Sequence, residues 1–173
     1  GSLSVSSGYP YNPAASFSLV GLENVTQIDD SVDLELVNLA ELVGLDNLVT
    51  VGGRLRLDSL TSLESIAGLE RLETVGALTL YGLWSLTAHE GLDSLSSVGS
   101  LLISNTAVNS LEPFSGVTEF PSDAYGSGVQ RNPYLPSLAG LEGISYIDGG
   151  FTVIENDILR DLDGLSGLRR VDG

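Results

Sequence analysis

The sequence predicts a mainly β protein wound as a solenoid of about six coils, each 23–25 residues long. Three observations carry that prediction. A Gly-Leu step recurs at near-constant spacing, aliphatic residues fill seven matched places within successive copies, and no stretch holds a sustained helical period. A period in the twenties marks an architecture in which one repeat makes one coil and buries its apolar residues only by stacking on its neighbours.

The Gly-Leu step, once Gly-Val, begins at Gly21, Gly44, Gly68, Gly91, Gly116, Gly140 and Gly164, with successive spacings of 23, 24, 23, 25, 24 and 24. The common pattern is G-L-x-x-L-x-x-V-x-G-x-L-x-L, followed by a short gap and L-x-x-L. The second copy places Leu45, Leu48, Val51, Leu55, Leu57, Leu60 and Leu63 on it, and the third places Leu69, Leu72, Val75, Leu78, Leu80, Leu83 and Leu86. The L-x-L unit has the period of a strand, so both leucines point inward and the residue between them points out. Leu45, Leu48 and Val51 are three apart, which suits short edges of a triangular coil with turns and brief 3₁₀ segments. At a strand spacing of about 4.8 Å, six coils make a rod of roughly 30 Å.

The organisation follows from the repeat. Residues 1–20 read as an N-terminal extension or cap, with Gly1-Ser2 a cloning remnant, and residues 21–173 as the solenoid. Gly52-Gly53 and Gly149-Gly150 are expected to bend the chain into its L-x-L strand. Asn38, Asn105, Asn132 and Asn156 fall at or near the turn after the strand, with a residue or two of slippage in the fifth and sixth repeats, where an asparagine can satisfy backbone groups of its own and the adjacent coil; Ser59 and Gly82 interrupt that ladder. The coil at 116–139 is irregular. Its "PSDAYGSG", Pro121 to Gly128, reads as a loop standing where two strands belong, because Pro and Gly are poor ladder residues. The chain ends midway through a seventh copy with no visible cap, so it reads as a piece of a longer protein, and the exposed last coil makes self-association a prospect.

The cadence of "GLDNLVTVGGRLRLDSLTSLESIAGLERLETVGALTL" resembles the receptor L-domain type of leucine-rich repeat solenoid. Such L domains occur in insulin- and epidermal-growth-factor-type receptors, and a similar repeat occurs in bacterial and fungal surface proteins. The resemblance covers Gly21 to Gly173 and is weakest in the fifth copy. It implies a right-handed β-helix-like solenoid that binds partners through one sheet face, usually outside the cell. Receptor L domains carry disulfides and end caps. This chain has no cysteine, which points towards a bacterial surface or secreted protein.

Composition excludes several functions. With 23 acidic residues against seven arginines and no lysine, a formal charge of -16 opposes nucleic acid and anionic lipid. No apolar run is long enough to span a bilayer, so direct membrane insertion is not expected. Without cysteine there is no thiolate metal site or thiol nucleophile, and without lysine there is no phosphate loop of the GxxxxGK type. His89 is the one histidine and reads as a turn residue between coils. The acids of "ENDILRDLDG" do not have calcium-loop spacing and read as solvated. No cofactor, metal or catalytic group is expected, and the chain is not read as an enzyme.

With the leucines turned in, the strands are expected to display Asp33, Glu35 and Val37, then Arg54, Arg56 and Asp58, then Ala77, Thr79 and Tyr81, then Ser100, Leu102 and Ser104. The central slot, aligned as Glu35, Arg56, Thr79 and Leu102, does not repeat one residue type, which argues against an ice- or crystal-binding face. Arginine and tyrosine favour recognition hot spots, and the candidate binding residues are Arg54, Arg56, Tyr81, Leu102, Trp84 and Tyr125. The expected function is a non-catalytic protein-binding or adhesion module of a cell-surface or secreted protein, bacterial by preference, whose partner is another protein or a surface glycan. The alternative is a spacer with no ligand of its own.

Overall fold

Glycine spacing sets the coil. The computed structural model describes residues 1–6, 17–36, 38–87 and 90–173, and in it the chain winds as a parallel β-solenoid of about six turns. Strand accounts for 32% of residues and helix for 4%, so the mainly β expectation holds. Val37 and His89 lie outside the described residues, as do residues 7–16 of the N-terminal segment.

The described residues form twelve strands: β1 (Leu3–Ser6), β2 (Gln27–Ile28), β3 (Val32–Glu35), β4 (Thr50–Asp58), β5 (Thr74–Tyr81), β6 (Ser97–Val98), β7 (Leu101–Ser104), β8 (Glu119–Phe120), β9 (Ser127–Gln130), β10 (Tyr146–Asp148), β11 (Phe151–Ile154) and β12 (Arg170–Asp172). One sheet runs β1-β3-β4-β5-β7-β9-β11, with β2 also on β4 and β6 on β5. A second runs β8-β10-β12, and every pairing is parallel. In the second and third coils the two sides join, because β4 and β5 pass around the corner as single strands. Their register shifts between Val51 and Arg54, where Gly52 and Gly53 of β4 stand against Gly76 alone in β5. The bend expected at Gly52-Gly53 is therefore a bulge within a continuous strand.

The remaining side is built of turns in which one leucine's N–H reaches the carbonyl three residues back. Leu48 donates to Leu45 (2.8 Å), Leu72 to Leu69 (2.9 Å) and Leu95 to Leu92 (2.9 Å). The three-residue spacing thus keeps every third side chain inward while closing a turn. In two coils the turn tightens into 3₁₀ helices, Glu112–Phe114 and Asp163–Leu165.

The interior is a continuous column of aliphatic side chains. Leu45, Leu48, Val51, Leu55, Leu57, Leu60 and Leu63 are all 0% exposed, and Leu80 is 2% exposed. Each such burial contributes about 1.5–3 kcal/mol, so the column dominates stability. In the first coil the inward pair is Val32 and Leu34, because Leu36 adopts a left-handed backbone (φ 53°) and is 39% exposed. The last described coil is less covered: Ile154, Ile158, Leu162 and Val171 are exposed. At the other end β1 adds a parallel strand to β3, and Leu19 enters the core. No helix among the described residues is long and apolar enough to cross a membrane.

The Gly-Leu step has a physical cause. Gly21, Gly44, Gly68, Gly91 and Gly140 have φ between 105° and 118°, where a side chain strains the backbone. Each of their N–H groups donates to the carboxylate two residues on: Glu23 (2.8 Å), Asp46 (2.7 Å), Glu70 (2.9 Å), Asp93 (3.3 Å) and Glu142 (2.8 Å). Gly116 and Gly164, followed by Thr118 and Ser166, lack both the positive φ and such an acid, and these are the coils with 3₁₀ turns. Part of the acidity is therefore structural.

The Gly21 N–H holds the Glu23 carboxyl below its ordinary pKa. A lowered folded-state pKa contributes stability above the unfolded value, near 4.5, that is lost as pH falls through the folded value. Glu23 is fully exposed, so the effect is small. Melting between pH 5 and 3 should fall more steeply for the native chain than for Glu23→Gln, and equal slopes would refute the assignment.

Two expectations about turns need correction. Pro121–Gly128 does not displace two strands: β8 and β9 both form, Ser127 and Gly128 belong to β9, and the loop is 121–126. Gly128 is required there, because a Cβ would lie 2.4 Å from the Thr152 carbonyl oxygen. Of the asparagines, Asn132 and Asn156 take the expected role toward backbone groups of an adjacent coil, whereas Asn105 does not. Asn105 occupies the left-handed corner itself (φ 55°), equivalent to Leu36, Ser59, Gly82, Arg131 and Glu155. Asn132 and Asn156 come one residue later and turn inward, where Leu60, Leu83 and Thr106 sit in other coils. Asn132 is 0% exposed. It accepts from the Thr106 N–H (3.1 Å) and hydroxyl (2.7 Å) and donates to the Ile103 carbonyl (3.1 Å). The Asn156 side chain in turn accepts from the Asn132 N–H (3.0 Å) and donates to the Val129 carbonyl (2.8 Å).

Candidate functional site

Because side chains alternate along each strand, three outward columns run across the large sheet. Pairing places Arg54 beside Ala77; Asp33, Arg56, Thr79, Leu102, Gly128 and Thr152 in one row; and Glu35, Asp58, Tyr81, Ser104, Gln130 and Ile154 in the next. The central slot of the first coil is thus Asp33 rather than Glu35. The mixed composition of that row stands.

The register sets up a staggered ion-pair network. Arg54 donates to Asp33 of the preceding coil at 2.8 Å, and Arg56 donates to Glu35 at 2.9 Å and to Asp58, two residues on in the same strand. The Ser59 hydroxyl also donates to Asp58 (2.7 Å). These side chains are about one-quarter exposed, except Glu35 at 40% and Asp58 at 10%. Burial alone would lower the Arg56 pKa, but the hydrogen bond to Glu35 and the charges of Asp58, Glu35 and Asp33 outweigh it and raise the pKa. Pairs of this exposure add little to stability, up to about 1 kcal/mol each. Their main effect is to fix both guanidinium groups in place.

The loop at 121–126 reaches over this network. Arg54 lies under the Tyr125 ring, 4.9 Å from its centroid, an arrangement attractive by about 0.5–1 kcal/mol at an exposed site. Between loop and sheet is a hollow of about 360 Å³ lined by Arg54, Arg56, Asp58, Thr79, Tyr81, Leu102 and Tyr125. Thr79 is 8% exposed at its floor, while Tyr81 (40%) and Tyr125 (48%) are its open aromatic groups.

Five of the six residues singled out from the sequence therefore converge: Arg54, Arg56, Tyr81, Leu102 and Tyr125. Trp84 does not. It is 51% exposed beside a separate hollow of about 320 Å³ with Arg131, Pro133, Glu155 and Asp157. In that second hollow Arg131 is held by Glu155 at 2.6 Å.

No family model, curated protein or solved structure matches this chain.

Simple alternation overstates what the sheet displays. Ala77, Ser100 and Ser104 are 1%, 1% and 4% exposed, so they are not on an open face. The Asn105 amide donates to Ser104 (3.2 Å), and the Ser100 hydroxyl is buried without a hydrogen-bond partner. Sequence reading treated Asp33, Glu35 and Asp58 as displayed acids and missed that they anchor the arginines. The signal was present in "VDLE" and "RLRLD", where acids and arginines occupy the same face of adjacent coils.

Proposed function

We propose that the chain is a non-catalytic adhesion module of a cell-surface or secreted protein, bacterial by preference, that engages another protein or a surface glycan through the large sheet and the loop at 121–126. The finer identity that goes with this reading is a receptor L-domain-like leucine-rich repeat solenoid, supported by the repeat cadence. One observation carries the functional reading: Arg54, Arg56, Tyr81, Leu102 and Tyr125, from three strands and a loop, line one hollow, with both arginines held by carboxylates. A spacer has no need of an aromatic and cationic hollow fixed in this way.

The test is substitution of Arg56, Tyr81 and Leu102 by alanine, singly and together, with binding of the labelled chain to intact cells as readout. Each single change should weaken binding by about tenfold or more if the residue is a hot spot, with circular dichroism and the melting transition retained. Undiminished binding by the folded triple variant would favour the spacer.

A further inference from the structure

We propose that the hollow over Thr79 takes an uncharged saccharide chain. The inference rests on the binding reading above and adds the chemistry of the ligand.

Charge narrows the choice first. The two arginines are already engaged by Asp33, Glu35 and Asp58, so two positive against three negative groups leave the site one net negative charge. The chain around it carries -16. A phosphate, sulfate or uronate would meet repulsion with no unpaired cation to offset it. A cationic ligand would have to displace an arginine from its carboxylates. A neutral ligand escapes both penalties.

Hydrogen-bonding capacity narrows it next. A guanidinium has five N–H donors, and Arg56 uses two of them, on Glu35 and Asp58. The Asp58 carboxylate accepts from Arg56 and Ser59 and has further lone pairs, and the Thr79 hydroxyl both donates and accepts. Donors and acceptors thus stand side by side in fixed positions, as recognition of adjacent hydroxyls requires. Because the ion pairs immobilise them beforehand, little ordering entropy is spent on binding.

Shape completes the argument. The volume of about 360 Å³ lies within the range of small-ligand clefts, about 300–1,000 Å³. Arg54, which carries Tyr125, pairs with Ala77, and Tyr81 lies four residues farther along β5. Both rings line the same hollow, so one extended ligand can touch the two together. Aromatic faces are negative, and the C–H bonds of a pyranose face, made slightly positive by their oxygens, rest on them favourably.

The experiment probes the full chain against a printed array of neutral oligosaccharides (gluco-, manno-, xylo- and chito-hexaoses) and acidic ones (heparin fragments and oligogalacturonates). The expected result is binding confined to one or more neutral chains and unchanged between low and high salt. Tyr81→Ala and Tyr125→Ala should reduce it about tenfold or more, while Tyr134→Ala, an exposed tyrosine outside the hollow, leaves it intact. Binding confined to acidic chains, or insensitive to both hollow variants, overturns the proposal. A blank array together with cell binding that Arg56→Ala and Tyr81→Ala abolish also overturns it, but leaves the binding face standing with a protein as its partner. A blank array with no cell binding overturns both.

Discussion

Gly140→Ala should be among the most damaging single substitutions in this chain, although it adds one methyl group. Gly140 has φ 106°, and a Cβ there would lie 2.1 Å from the Leu111 carbonyl oxygen and 2.4 Å from its carbonyl carbon. Both are backbone atoms, so no side-chain rotation relieves the clash. The left-handed conformation costs about 1–2 kcal/mol, and separating two stacked coils forfeits buried contacts as well. A loss of about 3–5 kcal/mol is expected, in the range reserved for changes with a specific steric cause. Gly21→Ala is the matched control: its φ is 109°, but nothing lies within 4 Å of a Cβ. It should cost only the conformational part, about 1–2 kcal/mol. Urea unfolding midpoints measure both, and equal losses would show that stacking does not constrain the repeat glycine.

The second large effect is expected at Asn132. Truncation to alanine removes the acceptor of the Thr106 N–H and hydroxyl and the donor to the Ile103 carbonyl, in an environment that is 0% exposed. At about 1–3 kcal/mol for each buried group left unpaired, the loss should reach about 3–5 kcal/mol. Asn132→Leu should be nearly as harmful, although Leu60 and Leu83 fill the same place in earlier coils, because Thr106 and Asn156 still present polar atoms to it. Changing Thr106, Asn132 and Asn156 together to leucine should not recover the loss, because the Asn132 N–H and the Val129 carbonyl then lose their side-chain partner as well as the Thr106 N–H and the Ile103 carbonyl. A harmless Asn132→Leu, or a triple variant as stable as the native chain, would contradict this account. Chemical denaturation with hydrogen exchange over coils four to six distinguishes local from global loss.

The core and the period were legible because they follow from one rule, that a parallel coil can hide only the residues at fixed places in its repeat. Leu57 and Leu80 accordingly point inward. The register of the first coil was harder to read, because "LEL" imitates the L-x-L strand while Leu36 adopts the left-handed corner. β9 was hidden by its own residues. Ser127 and Gly128 have low strand preference, and their conformation is imposed by parallel neighbours on both sides, β7 and β11. At the candidate site, Arg54, Arg56, Tyr81 and Leu102 could be placed together from alternation and stacking alone. The approach of Tyr125 to Arg54 depends on how the loop at 121–126 folds back, which no local pattern encodes. The structural roles of the acids were not legible from charge alone: five of them accept a glycine N–H and three hold arginines.

The ion pairs of the large sheet join the first coil to the second, and the Tyr125 contact joins the second to the fifth. Duplicating or deleting the third unit would leave the hydrophobic interior almost unchanged, because the second and third units fill the same seven places with buried aliphatic side chains. The same event would dismantle the hollow, whose walls come from units that must keep their order. In this molecule the scaffold is interchangeable by segment, whereas whatever it recognises is inherited as an indivisible whole.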